Sequence, residues 1–148
     1  MEQHYAAGIS VNAPAQQVFD QICNVPAWWA ANVRGSASRL HSTFTVTLRD
    51  TYVDFKVEEF NPCERIVWRV TDCHLHWLGN KKEWQGTALV WDIRRQQDTT
   101  AISMTHQGLT PALACYNDCK AGWDFYIHES LLQLIATREG HPDGRRCT

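Results

Sequence analysis

His106, Cys115 and Cys119 are the side chains whose types and spacing first suggest chemistry. Cys115 and Cys119 stand four apart, which on a helix puts both sulfurs on one face. His106 closes the strand-like run just before them. Three soft or borderline donors begin a zinc site, but no fourth ligand suggests itself, and Cys-x-x-x-Cys lacks the spacing of a zinc knuckle. Small thiols packed against a sheet, or a redox pair, are the other readings, and no metal is expected. Cys73-His74-Leu75-His76 offers a second group of donors, yet alternation sets both histidines on one side and Cys73 on the other, as at a solvated edge.

For general acid and base work the sequence offers Asp54, Glu58, Asp92 and His128. Asp54 and Glu58 share a strand face with Lys56, opposite Val53, Phe55 and Val57, which reads as the solvent side. There is no Gly-x-Ser-x-Gly, no His-Glu-x-x-His and no phosphate-cradling glycine loop. His106 falls in line with Ile102 and Met104, the face expected to point inward, where one polar ring in an apolar row can orient a ligand or sit as a satisfied core histidine. His106 and Tyr116 are the first candidates for any catalysis.

The elements that must position these residues follow from periodicity. Tyr5 to Asn12 alternates loosely and runs into Asn12-Ala13-Pro14, a strand handing over to a helix at about 14–23 through Val18, Phe19 and Ile22. A second short helix is expected after Pro26, with Trp28-Trp29 burying at least one ring. From residue 43 the period becomes two: Phe44, Val46, Leu48; then Val53, Phe55, Val57; Ile66, Trp68, Val70; Leu89, Trp91, Ile93; and a last strand from Thr100 to Gln107, with turns at Asp50-Thr51, Asn61-Pro62 and Asp98-Thr99. Such a succession predicts an antiparallel meander. After Pro111 the stripe Leu113, Tyr116, Cys119, Trp123, Ile127, Leu131, Leu134, Ile135 predicts one long helix of roughly 20–27 residues, closed by Gly140 and Pro142. Gly122 inside it costs about 1 kcal/mol against Ala, which suggests a close backbone approach or a bend beside Trp123. The polar connection from Asp72 to Gln85 carries Trp77 and Trp84 around Gly79 and could gate a cavity mouth.

These elements make a single α+β domain over 1–140 with a polar tail at 141–148, in which a curved antiparallel sheet wraps a long C-terminal helix. At 148 residues the chain can bury a core without staples. Sixteen acids against fourteen Lys and Arg give a net charge of −2 and no basic stripe, which argues against nucleic acid. No window reads as a membrane span or a secretion leader, so six cysteines are expected as thiols in a cytoplasmic setting, with Cys147 in the tail prone to intermolecular oxidation.

The element order resembles the helix-grip fold of the START and birch-pollen-allergen superfamily, the SRPBCC domains, over nearly the whole chain. Ile9-Ser10-Val11-Asn12-Ala13-Pro14 leading to Val18-Phe19 is similar to the opening of that superfamily, with the Trp28-Trp29 pair after it. Val57 to Trp68 is similar to the V-x-x-x-x-P-x-x-R-I-V-W hairpin of the branch related to the C-terminal domain of the heat-shock-90 ATPase activator. His106-Gln107-Gly108-Leu109, Gly122-Trp123 and Ser130-Leu131 are similar to its H-x-G-L, G-W and S-L ending. Relative to the activators, one domain is expected, with no partner-binding segment before it.

The resemblance implies a cavity between sheet and helix. Trp68, Trp91, Met104, His106, Tyr116, Cys119, Trp123 and Ile127 are the residues placed to line it. It leaves open a carrier of a small apolar or amphipathic ligand, a cavity enzyme of the polyketide cyclase or aromatase kind, and a chaperone-regulating module, since fold does not fix function. No catalytic residue set carries over. No cofactor is called for, a protein partner has no feature behind it, and a monomer or weak dimer is expected.

Overall fold

The computed structural model describes residues 3–144. Seven strands form one sheet: β1 (Tyr5–Val11), β2 (Asn32–Gly35), β3 (Thr43–Leu48), β4 (Thr51–Asn61), β5 (Arg65–His74), β6 (Ala88–Arg95) and β7 (Thr100–Gln107). Their order is β1-β7-β6-β5-β4-β3-β2, and every neighbouring pair is antiparallel. Helix α1 (Ala15–Cys23) and a single 3-10 turn (Val25–Ala27) connect β1 to β2. At the other end α2 (Tyr116–Phe125), a π-helical stretch (Tyr126–Leu131) and α3 (Leu132–Thr137) run on as one helix over 116–137. This is the helix-grip α+β architecture.

Pairing puts the apolar rows of successive strands on the same face. Trp91 lies opposite Met104 and Ile66, Leu89 opposite His106 and Trp68, and Phe44 opposite Phe55. Two bulges in the β4–β5 ladder, between Asp54 and Phe55 and between Val57 and Glu59, bend the longest strands around the helix. The first slips one residue on β5, so that Val70 and Cys73 both face inward although their numbers differ in parity. On the outer face Val67, Ala88 and Val90 make a small separate buried cluster.

Four features depart from the sequence reading. The helix expected after Pro26 is only the three-residue turn, and Trp28 is held instead by its indole N–H donating to Ile22 O at 3.1 Å. The four-residue edge strand β2 was not expected, being too short and too polar to show a period. The long helix begins at Tyr116 rather than near Leu113, because 111–115 coil into turns whose last amide, Cys115 N–H, donates to Glu83 Oε1 at 3.0 Å. It ends at Thr137 with Arg138 in the left-handed region at φ 69°.

Gly140 is therefore not the left-handed stop. A Cβ there would collide with the carbonyl oxygens of Ala27 and Ser130, so glycine lets the chain pass directly over the Trp28 turn. Residues 141–144 dock on that turn. His141 N–H donates to Ser130 Oγ at 2.7 Å, Ser130 Oγ–H donates to Trp28 O at 2.6 Å, and Asp143 N–H donates to Trp29 O at 2.8 Å. The remainder of the expected tail, with Cys147, lies outside the described residues.

Candidate functional site

His106 is fully buried on β7 with both ring nitrogens engaged. Nδ1 accepts from Trp123 Nε1 at 3.1 Å, and since an indole nitrogen only donates, Nδ1 carries no proton. The proton sits on Nε2 and is donated to Thr87 Oγ1 at 2.9 Å, while the Thr87 hydroxyl donates to Trp84 O at 2.6 Å. This chain of bonds ties α2, β7 and the loop before β6 together. Burial, reinforced by the nearby His4, lowers the His106 pKa to about 3 and keeps the imidazole neutral. A ring with both nitrogens committed has no lone pair for a substrate proton. Its work here is to orient Trp123 and, through Thr87, the Trp84 loop.

The interior between sheet and helix is largely aromatic. Trp28, Trp29, Phe55, Trp68 and Trp91 close a circuit of ring contacts with centroids 5.5–6.0 Å apart, and Phe44 bridges Phe55 and Trp68. Edge-on and tilted contacts of this kind add about 0.5–1.5 kcal/mol each beyond the area buried. The circuit leaves the indole N–H groups of Trp68 and Trp91 without a hydrogen-bond partner among the described residues.

Beyond this packed region, at the end covered by the loop after β5, a pocket of about 260 Å³ opens. Trp29 and Trp123, 4.8 Å apart, form the boundary between the two, and Trp84 stacks on Trp123 at 6.0 Å. Leu48, Thr51 and Val53 come from the β3–β4 hairpin, Leu75 and Trp77 from the loop, and Asp118, Cys119, Gly122 and Tyr126 from the helix. The loop is a built structure. Lys81 Nζ donates to His76 O at 2.7 Å and Leu78 O at 2.9 Å, Leu75 N–H donates to Lys81 O, and His76 N–H donates to Thr51 Oγ1. Trp77, 49% exposed, stands at the rim.

Gly122 has no structural reason to be glycine. A Cβ built on it meets nothing within 4 Å, and it sits inside α2, where no left-handed conformation is needed. The close approach expected from the sequence is absent, and the change to π-helix begins only at Tyr126. What the missing side chain leaves is room in the pocket.

Of the residues expected to line a cavity, Cys119 and Trp123 are on this pocket. Trp68, Trp91 and Met104 are wholly enclosed in the core, and Ile127 is buried one turn further along the helix. His106 lies behind Trp84 and Trp123, and Tyr116 is half-buried at the helix start. Leu48, Thr51, Val53, Leu75, Asp118 and Tyr126 were not foreseen, although Gly122, Trp77 and Trp84 had drawn notice by composition alone. Among the described residues no three His, Cys, Asp or Glu side chains come close enough to hold a metal ion. Cys115 and Cys119 are both buried, and the Cys115 thiol together with burial pushes the Cys119 thiol well up, away from the reactive thiolate. No described helix is long and apolar enough to cross a membrane.

No protein-family model matches the chain, and no curated protein matches it significantly. Solved structures do. The solution structure of the Aha1 dimer from Colwellia psychrerythraea superposes with a TM-score of 0.77 at 19% identity, covering 93% of this chain and 99% of that one. DynU16, a putative protein in the dynemicin biosynthetic locus, gives 0.71 at 17% identity, covering 91% of this chain and 48% of that one. CalU16 from Micromonospora echinospora gives 0.64 at 13% identity, covering 89% and 74%. At these identities the likeness is one of fold: the chain has the helix-grip fold that these structures share.

Proposed function

We propose that the protein binds a small apolar or amphipathic molecule in the pocket between the β3–β4 hairpin, the loop after β5 and the N-terminal half of the long helix. The observation that carries this is Gly122. A helix-interior glycine costs about 1 kcal/mol relative to alanine, nothing in backbone or packing requires it, and its one visible effect is volume in the pocket. The size is adequate, since a dry cavity of roughly 150 Å³ accepts benzene. Trp29 and Trp123 are each held on two sides, and a preformed wall of this kind spends little binding energy on ordering. A large protein-docking face has less support. The exposed large apolar residues among those described are Leu40 and Trp77, and Trp77 belongs to the pocket rim.

The test is ligand-observed NMR and tryptophan-fluorescence titration with a small neutral arene, tert-butylbenzene, on the wild type and on Gly122→Leu. The wild type should bind with saturation, and the leucine, pointing into the void, should abolish binding without loss of the cooperative fold. Equal binding by both proteins, or failure of the wild type to bind either this arene or its trimethylammonium counterpart, would remove this reading.

A further inference from the structure

Resting on that reading, we infer that the pocket is selective for an organic cation, an amine or quaternary ammonium carried on a small apolar body. Five of its twelve lining residues are aromatic: Trp29, Trp77, Trp84, Trp123 and Tyr126, so that four of the chain's seven tryptophans meet at one site. The faces of indole and phenol rings carry the negative lobe of the ring quadrupole, so a lining this rich in aromatic rings attracts a cation wherever a face meets it. The one formally charged lining residue is a carboxylate, Asp118, in the first turn of α2, and no Lys, Arg or His lines the pocket.

Asp118 is not spent elsewhere. Among the described residues its carboxylate makes no ion pair, whereas the neighbouring Asp124 is held by Lys120 at 2.9 Å and by the Tyr5 hydroxyl at 2.6 Å. Of the covering loop's lysines, Lys81 donates its ammonium to two backbone carbonyls and Lys82 is paired with Asp72. Aromatic walls exclude water from the inner part of the pocket, which strengthens the attraction to the rings, while Asp118 at the exposed rim adds a longer-range attraction that salt screens. An anionic ligand would meet the same features as repulsion. A neutral one would gain burial but leave Asp118 unanswered.

The experiment compares isosteres that differ only in charge, phenyltrimethylammonium and tert-butylbenzene, by tryptophan-fluorescence titration and ligand-observed NMR, on the wild type and Asp118→Asn. The wild type should bind the cation at least tenfold more tightly. Asp118→Asn should weaken the cation by about five- to tenfold and leave the neutral arene within twofold, and raising the salt to 0.5 M should act in the same direction on the cation alone. Tighter or equal binding of the neutral arene in the wild type, or an equal effect of Asp118→Asn on both probes, would overturn the cation selectivity while the pocket reading stands. Binding of neither probe would overturn both together. Asp118 is exposed, and asparagine is compatible with the first turn of a helix, so circular dichroism should show the variant folded.

Discussion

Acid should destabilise this fold through one buried imidazole. His106 is neutral in the native state with its pKa at about 3, whereas in the unfolded chain it titrates near 6.5. Above pH 7 neither state binds this proton and the group contributes no pH dependence. As pH falls below 6.5 the unfolded chain takes up a proton that the folded chain refuses, so stability falls. Integrating between those two values gives a loss of about 2 kcal/mol at pH 5 and about 3 kcal/mol at pH 4 from this residue alone. Other groups also titrate there, so the assay is a double difference: urea unfolding of wild type and His106→Gln at pH 7.5, 6, 5 and 4.5. Glutamine can accept from Trp123 and donate to Thr87 but does not titrate. It should be less stable at pH 7.5 through poorer packing, and the gap to wild type should close by about 2 kcal/mol at pH 5. Parallel loss of stability in both proteins would mean that His106 is protonated in the fold, which the Trp123 N–H directed at Nδ1 does not permit, and the assignment of the hydrogen-bond chain would fail.

Two further outcomes follow from the same geometry. Gly122→Ala should raise stability by about 1 kcal/mol in urea unfolding, because the methyl meets no atom and the unfolded chain loses freedom. A loss of stability would show that the backbone there is not free. Ser130→Ala should cost roughly 1–3 kcal/mol, since it strips the buried partner from both Trp28 O and His141 N–H. It should also make the segment from Gly140 onward the first site of proteolytic cutting, and an unchanged digestion pattern would show that the segment is held by its other contacts.

The sheet was legible because a half-buried strand declares itself by alternation, which β3, β4 and β7 keep over six residues or more, while β5 and β6 read as apolar runs because Val67, Ala88 and Val90 are buried on the outer face as well. Likewise the long helix showed through its apolar stripe. What escaped was set by geometry that has no local period. The slip at Thr71 that turns Cys73 inward, the edge strand at 32–35 and the reach of the 141–144 segment onto Trp28 depend on contacts between residues far apart in sequence. The same limit governed the site. Alternation named which residues of β5, β6 and β7 face the helix, and Trp68, Trp91, Met104 and His106 do so. It could not say that the rings of Trp28 and Trp29 would meet those strands and fill that half of the interior. The pocket was therefore displaced toward the β3–β4 hairpin, whose Leu48, Thr51 and Val53 had no mark to distinguish them from core. Gly122 stood out in the sequence by its propensity cost, but as a close approach or bend beside Trp123, and only the structure has a Cβ there meeting nothing.

Packed core and pocket share their walls, and this sets how the site can change. Trp29 touches Trp28 and Phe55 on the filled side and Trp123 at the pocket, while Trp123 is fixed a second time by its hydrogen bond to His106. A ring gripped on two sides cannot turn to admit a larger ligand without disturbing the circuit behind it, and close-packed interiors resist such movement. On the opposite side Leu48 is only half-buried and Trp77 has half its surface in solvent. Selectivity for shape is thus expected to be written by Trp29, Trp123 and Gly122, which the fold cannot easily move. Substitutions at Leu48 and Trp77 should instead alter how readily a ligand enters and leaves.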